Sequence, residues 1–143
     1  MSIPSPIDKN KKNKTHQGKI LLVEDDPMVV RMYERKLKME GFDLQLAFNG
    51  ELGLEALKKE RPDIILCDIM MPKLSGLDML KIVKGDPQYK DLPMVMLTNL
   101  GDRPEDIEKC KGLGAEDYWV KANMQLEEIT DNVRKILLKY SNK

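Results

Sequence analysis

Three stretches of the chain are apolar without interruption: Ile20-Leu-Leu-Val23, Ile64-Ile-Leu-Cys67 and Met94-Val-Met-Leu97. Runs this short, bounded by turn residues, suit strands covered on both faces. They predict strands over Lys19–Val23, Asp63–Cys67 and Met94–Leu97. Two weaker strands are expected over Asp43–Ala47 and Asp117–Val120. Between the strands, apolar positions recur at helical spacing. Val29, Val30, Tyr33, Leu37 and Met39 predict a helix over Pro27–Glu40, with Asp26 as its N-cap, Pro27 as its first residue and Gly41 as its stop. Leu52, Leu54, Ala56 and Leu57 predict a helix over Gly50–Arg61, broken by Pro62. Leu77, Leu80, Ile82 and Val83 mark a third helix, closed by Gly85. Glu105–Leu113 reads as a shorter fourth, stopped by Gly112 and Gly114. Leu126, Ile129, Val133, Ile136 and Leu137 lie on one face of a last helix, Met124–Tyr140.

The order is (βα)5, which predicts an α/β fold: a doubly wound parallel sheet with helices on both faces. Ligands of such sheets sit outside the carboxyl ends of the strands. Residues 1–18 break the pattern. They are rich in Pro, Asn, Ser and Lys, bury little apolar surface, and are expected to form a disordered polar tail ahead of a domain spanning 19–143.

The charge of the whole chain is uninformative at first sight, with 24 Lys+Arg against 24 Asp+Glu. Lys9, Lys11, Lys12 and Lys14 against Asp8 leave the tail at +3, so the domain stands at −3. A neutral total argues against nucleic-acid or membrane binding, and no direct DNA binding and no membrane association are expected. No apolar run approaches the about 18–20 residues that span a bilayer, and the N-terminus lacks a signal-peptide core, so a cytoplasmic location is expected. Two Cys and one His exclude a disulfide scaffold, a four-cysteine zinc site and a multi-histidine metal centre.

The chemistry lies at the strand ends. The first strand runs into Glu24-Asp25-Asp26, the third into Asp68, the fourth into Thr98 and the fifth into Lys121. A parallel sheet brings these to one edge. Clustered carboxylates repel, and a hard cation with oxygen ligands and several waters, Mg²⁺, relieves that repulsion. Such a cation leaves positions for phosphoryl oxygens, to which Lys121 adds a point charge and Thr98 a hydroxyl donor. A carboxylate in this set can be a nucleophile towards phosphorus. Asp26 is read as a helix cap rather than a ligand, Cys67 as core, and His16 as lying in the tail.

These residues carry a family likeness. Ile20-Leu-Leu-Val-Glu24-Asp25-Asp26-Pro27, Asp68-Ile-Met-Met-Pro72 with Gly76, Leu97-Thr98, and Tyr118-Trp-Val-Lys121, in that order and spacing, resemble a response-regulator receiver domain of the CheY-like kind, over about residues 18–140. The resemblance implies a flavodoxin-like fold with strand order 2-1-3-4-5. It implies Asp68 as phosphoacceptor, Asp25 as direct Mg²⁺ ligand, Glu24 acting through water, and the Met70 backbone carbonyl as a further ligand. Lys121 would pair with the phosphoryl group, and Thr98 and Tyr118 would be the switch residues. It further implies a sensor histidine kinase or histidine phosphotransfer protein as phosphodonor. Output would pass to an unidentified downstream protein, or to a phosphorylation-dependent dimer, through the face formed by helix four, strand five and helix five. No turnover of a separate substrate is expected, only self-phosphorylation and autodephosphorylation.

Two positions depart from the family pattern. Ala122 replaces the usual proline after the lysine, so a trans bond is expected there. Met70 replaces a polar residue two positions after the acceptor and is expected to prolong the phosphoryl group's life by excluding water. Two alternatives remain at this point: an interaction module that is never phosphorylated, and a fragment of a longer response regulator or hybrid kinase.

Overall fold

The computed structural model describes residues 17–141. Its elements alternate as β1 (Gly18–Val23), α1 (Pro27–Met39), β2 (Phe42–Ala47), α2 (Gly50–Lys59), β3 (Ile64–Asp68), α3 (Gly76–Gly85), β4 (Met94–Thr98), α4 (Pro104–Gly112), β5 (Asp117–Val120) and α5 (Leu126–Ser141). The sheet is five-stranded, parallel throughout, in the order β2-β1-β3-β4-β5. This is the expected flavodoxin-like arrangement. Every residue of β3 and β4 is buried, as a continuous apolar run demands, whereas β2 and β5 at the sheet edges are only partly buried.

The pleat divides the core in two. Ile20, Leu22, Ile64, Leu66, Val95, Leu97 and Trp119 face α1 and α5, meeting Tyr33, Leu37, Ile129 and Val133. Leu21, Val23, Ile65, Cys67, Met94 and Met96 face the other side, meeting Leu57 of α2, Met79, Leu80 and Val83 of α3, and Cys110 of α4. Successive strand residues alternate between these faces. That alternation decides where each strand-end group lies.

Local chemistry explains the helix starts. The Asp26 carboxylate accepts the Met28 N–H at 2.9 Å, with Pro27 in the first turn, so Asp26 is the cap its spacing suggested. Asn49 and Ser75 cap α2 and α3 in the same way. Boundaries shift by one or two residues from the expected ones. The two-residue differences are at the end of α2, which stops at Lys59 rather than Arg61, and at the start of α5, which begins at Leu126 rather than Met124 because Lys121–Asn123 form a single 3-10 turn after β5. No peptide bond among the described residues is cis, so Lys121–Ala122 is trans. β1 starts at Gly18, one residue early, and the Gln17 N–H donates to the Gly41 carbonyl. The expected tail otherwise lies outside the described residues, as does His16.

Candidate functional site

β1 and β3 are neighbours in register, with Val23 opposite Cys67, so the residues that follow, Glu24 and Asp68, emerge side by side. Both continue the rows that face α1 and α5, two positions beyond Leu22 and Leu66. Lys121 likewise continues the row of Trp119. These three groups meet at the carboxyl edge of the sheet. Lys121 Nζ lies 2.7 Å from Glu24 Oε1 and 3.7 Å from Asp68 Oδ2. Glu24 is fully buried, Asp68 is 2 % exposed, and the Lys121 side chain 12 %. The second Glu24 oxygen accepts the Asp26 N–H at 3.1 Å.

Asp25 joins from the exposed side. One carboxylate oxygen each of Glu24, Asp25 and Asp68 lies within 4.8 Å of the others. A single ammonium shared by two buried carboxylates leaves a net negative pocket. Burial pushes the Asp68 carboxyl up to about 7, with the charges of Glu24, Asp25 and Asp102 adding to the rise and Lys121 opposing it. Asp68 Oδ1 is buried and has no hydrogen-bond partner among the described residues. An orphaned carboxylate oxygen beside two further acids fits a hard divalent cation, whose preferred donors are oxygens of this kind.

The backbone behind the acceptor is held close. A Cβ on Gly76 would fall 1.8 Å from the Asp68 carbonyl, so only glycine allows α3 to start there. The Gly76 N–H donates to the Ile69 carbonyl at 2.8 Å, pinning the loop that follows Asp68. Met70 lies in that loop, two residues past the acceptor, and is 53 % exposed.

Thr98 and Tyr118 lie on the opposite side of the pleat. Thr98 continues the row of Met94 and Met96, is fully buried, and donates its hydroxyl to the Trp119 carbonyl at 3.4 Å. Tyr118 is half-buried against the α3 and α4 side of the core. The Lys111 ammonium stands 4.7 Å from its ring centroid.

Two residues near the acids escape the sequence reading. Asp102, in the loop after β4, adds its charge to those raising Asp68, while its own carboxylate accepts the Asn99 N–H at 2.7 Å. Extending the strand-end rule four residues past Thr98 would have found it. Tyr33 is a core position by helical spacing, yet its hydroxyl lies within electrostatic reach of Glu24 and Asp68. No sequence pattern signals that.

The family model described as the response regulator receiver domain matches residues 20–134. RpaA of Synechocystis, a DNA-binding dual master transcriptional regulator, is 34 % identical over 119 residues, covering 83 % of this chain and 48 % of RpaA. A putative response regulator from Chloroflexus aurantiacus superposes with a TM-score of 0.78 at 33 % identity, covering 85 % of this chain and 98 % of that one. The Mn²⁺-bound form of response regulator Rcp1 superposes with a TM-score of 0.71 at 27 % identity, covering 83 % of this chain and 91 % of that one. The metal-bound neighbour and the acidic cluster agree with divalent-metal binding in receiver domains.

The relatives correct one expectation, that of partners excluding DNA. The chain spans about half the length of the curated relatives it matches, and RpaA is named for DNA binding. Net charge over these 143 residues says nothing of the rest of such a relative, of which the matched segment makes up only about half. No described helix is long and apolar enough to cross a membrane. With its fold, its acidic pocket and its sequence in agreement, this chain belongs to the response regulator receiver domain family of two-component signalling.

Proposed function

We propose that Asp68 accepts a phosphoryl group from a phosphohistidine donor protein and that the acyl phosphate so formed reshapes the α4–β5–α5 face. The observation that carries this reading is the orphaned Oδ1 of Asp68, buried beside Glu24, Asp25 and Lys121. In the transfer, an Asp68 oxygen forms a bond to phosphorus. The phosphorus–nitrogen bond of the donor breaks, and its electron pair stays on the imidazole. Glu24, Asp25, Asp68 and the Met70 carbonyl would hold Mg²⁺, which neutralises charge on the phosphoryl oxygens. Lys121 supplies the chain's own positive charge to those oxygens. Thr98 exchanges its hydrogen bond to Trp119 for one to the phosphoryl group. Tyr118 then follows into the space that Thr98 leaves, and the surface of α4, β5 and α5 changes with it. The chain turns over no separate substrate in this scheme.

Incubation with acetyl phosphate and Mg²⁺, followed by intact mass measurement, tests the reading. The expected result is one added phosphoryl group that is absent in Asp68→Ala. No adduct, or an adduct that survives Asp68→Ala, overturns it. Met70→Asn is expected to shorten the adduct's lifetime by opening the phosphoryl group to water.

A further inference from the structure

Tyr33 takes no part in the chemistry above, yet its placement is costly. It lies on α1, is 3 % exposed, and packs with Ile20 and Leu22 in the apolar cluster under that helix. Its hydroxyl has no hydrogen-bond partner among the described residues. A buried hydroxyl without a partner costs about 1–3 kcal/mol, which phenylalanine or leucine at the same position would avoid. Glu24 extends the same strand row, two residues past Leu22. Burial, with the charges of Glu24 and Asp68, holds the phenol far above its ordinary range, so it stays a donor.

Glu24 has the complementary problem. It is fully buried, and its Oε1 is served by Lys121 at 2.7 Å. Lys121 also faces Asp68 at 3.7 Å. One ammonium therefore has two claimants. A phosphoryl group on Asp68 brings at least one more negative charge to the second of them. When Lys121 turns towards it, Glu24 keeps the Asp26 N–H on Oε2, but Oε1 loses its one protein donor among the described residues, whatever share of the cation Glu24 holds. A buried carboxylate oxygen stripped of its partner is strongly destabilising.

We propose that Tyr33 is a positioning residue whose hydroxyl replaces Lys121 as the donor to Glu24 when Lys121 engages a phosphoryl group on Asp68. The exchange breaks no covalent bond. The Lys121–Glu24 contact opens, a Lys121–phosphoryl contact forms, and the Tyr33 O–H closes on Glu24 Oε1. The unpaired polar group then exists only in the resting protein, where it raises the energy of that state. The activated state leaves none of these groups unpaired. The idea rests on the phosphorylation reading above and adds a residue to it.

Calorimetric titration of the full chain with beryllofluoride in Mg²⁺, as a stand-in for the phosphoryl group, tests it. Tyr33→Phe keeps the ring and removes only the hydroxyl. The expected result is binding weakened by about tenfold, while the resting variant unfolds at the same or a higher urea concentration than wild type. A merely structural tyrosine would lose stability and leave binding unchanged. In wild type labelled with ¹³C at the tyrosine ζ carbon, the Tyr33 resonance is expected to shift on adding beryllofluoride. Equal or tighter binding by Tyr33→Phe, or a Tyr33 resonance that does not move, overturns the proposal. A wild type that binds beryllofluoride no better than Asp68→Ala overturns the phosphorylation reading instead.

Discussion

Helices α1 and α4 make an instructive pair. Each follows a strand whose carboxyl end carries site chemistry, Glu24 for β1 and Thr98 for β4, and each has proline in its first turn. There the likeness ends. α1 runs thirteen residues, is capped by Asp26, and buries Val30, Tyr33 and Leu37. It is also tied to α5 by Lys36–Glu127 and by Arg134–Glu40 at 2.5 Å. α4 runs nine residues, its cap position Arg103 offers no side-chain bond to the free N–H groups of the first turn and pairs with Glu105 instead, and it buries only Cys110. Few buried side chains and an uncapped start mean low local stability. The fixed charges of the site therefore stand under the firm helix, and Thr98 and Tyr118 stand beside the loose one. A switch needs both: a charge cluster that holds its geometry, and a neighbour that yields when the cluster changes.

The comparison can be broken in four ways, in falling order of effect. Lys121→Met strips the shared cation from two buried carboxylates and is expected to lower unfolding free energy by about 3–5 kcal/mol at pH 8 in urea titrations. A loss too small to measure would mean that the α1 side is not pinned by charge. Leu37→Ala, at a site 1 % exposed, should cost about 2–5 kcal/mol. Ile107→Ala on α4, only half-buried, should cost less than half as much. Equal losses would remove the asymmetry between the helices.

The third test uses the Asp68 carboxyl, at about 7 in the folded protein and about 4 when unfolded. The folded state then holds the proton more tightly between those values. Without metal, wild-type stability should therefore fall as pH rises from about 4 to about 7 and level off above that. Asp68→Asn should abolish that fall and be about 1–3 kcal/mol more stable than wild type at pH 8. Mg²⁺ should restore wild-type stability at pH 8 and do much less for the variant. Smallest of all, Lys111→Met should leave global stability within error while shifting the Tyr118 ring resonances in NMR spectra. Unmoved resonances would show that Lys111 does not hold the ring.

The sequence foretold the three central strands because a strand buried on both faces has no choice but an unbroken apolar run. It foretold α1 through its Asp26 cap and Gly41 stop, and α2 through its apolar spacing and the break at Pro62, but not the Asn49 cap that starts α2. Helix ends were less legible, because the last turn of α2 and the first of α5 depend on local bonds such as the 3-10 turn at Lys121–Asn123. The strand-end rule collects Glu24, Asp25, Asp68 and Lys121 from the sequence alone, because they end or follow the strands of a parallel sheet. It could not tell that Lys121 sits closer to Glu24 than to Asp68, since side-chain reach across strands is a tertiary matter. Nor could it separate Thr98 from the acids. That division follows from pleat parity, which a one-residue difference in register would reverse. Tyr33 was invisible for a simple reason: helical spacing marks a side chain as inward, but not what its far end meets.

Trp119 is the protein's only tryptophan, 5 % exposed, with its indole N–H on the Asp117 carboxylate at 3.0 Å and its backbone carbonyl under the Thr98 hydroxyl. The peptide that Thr98 releases in the proposed switch therefore carries the only indole in the chain. Its emission comes from one place, next to the moving bond, so the state of the domain should be readable by light, in real time and without a label.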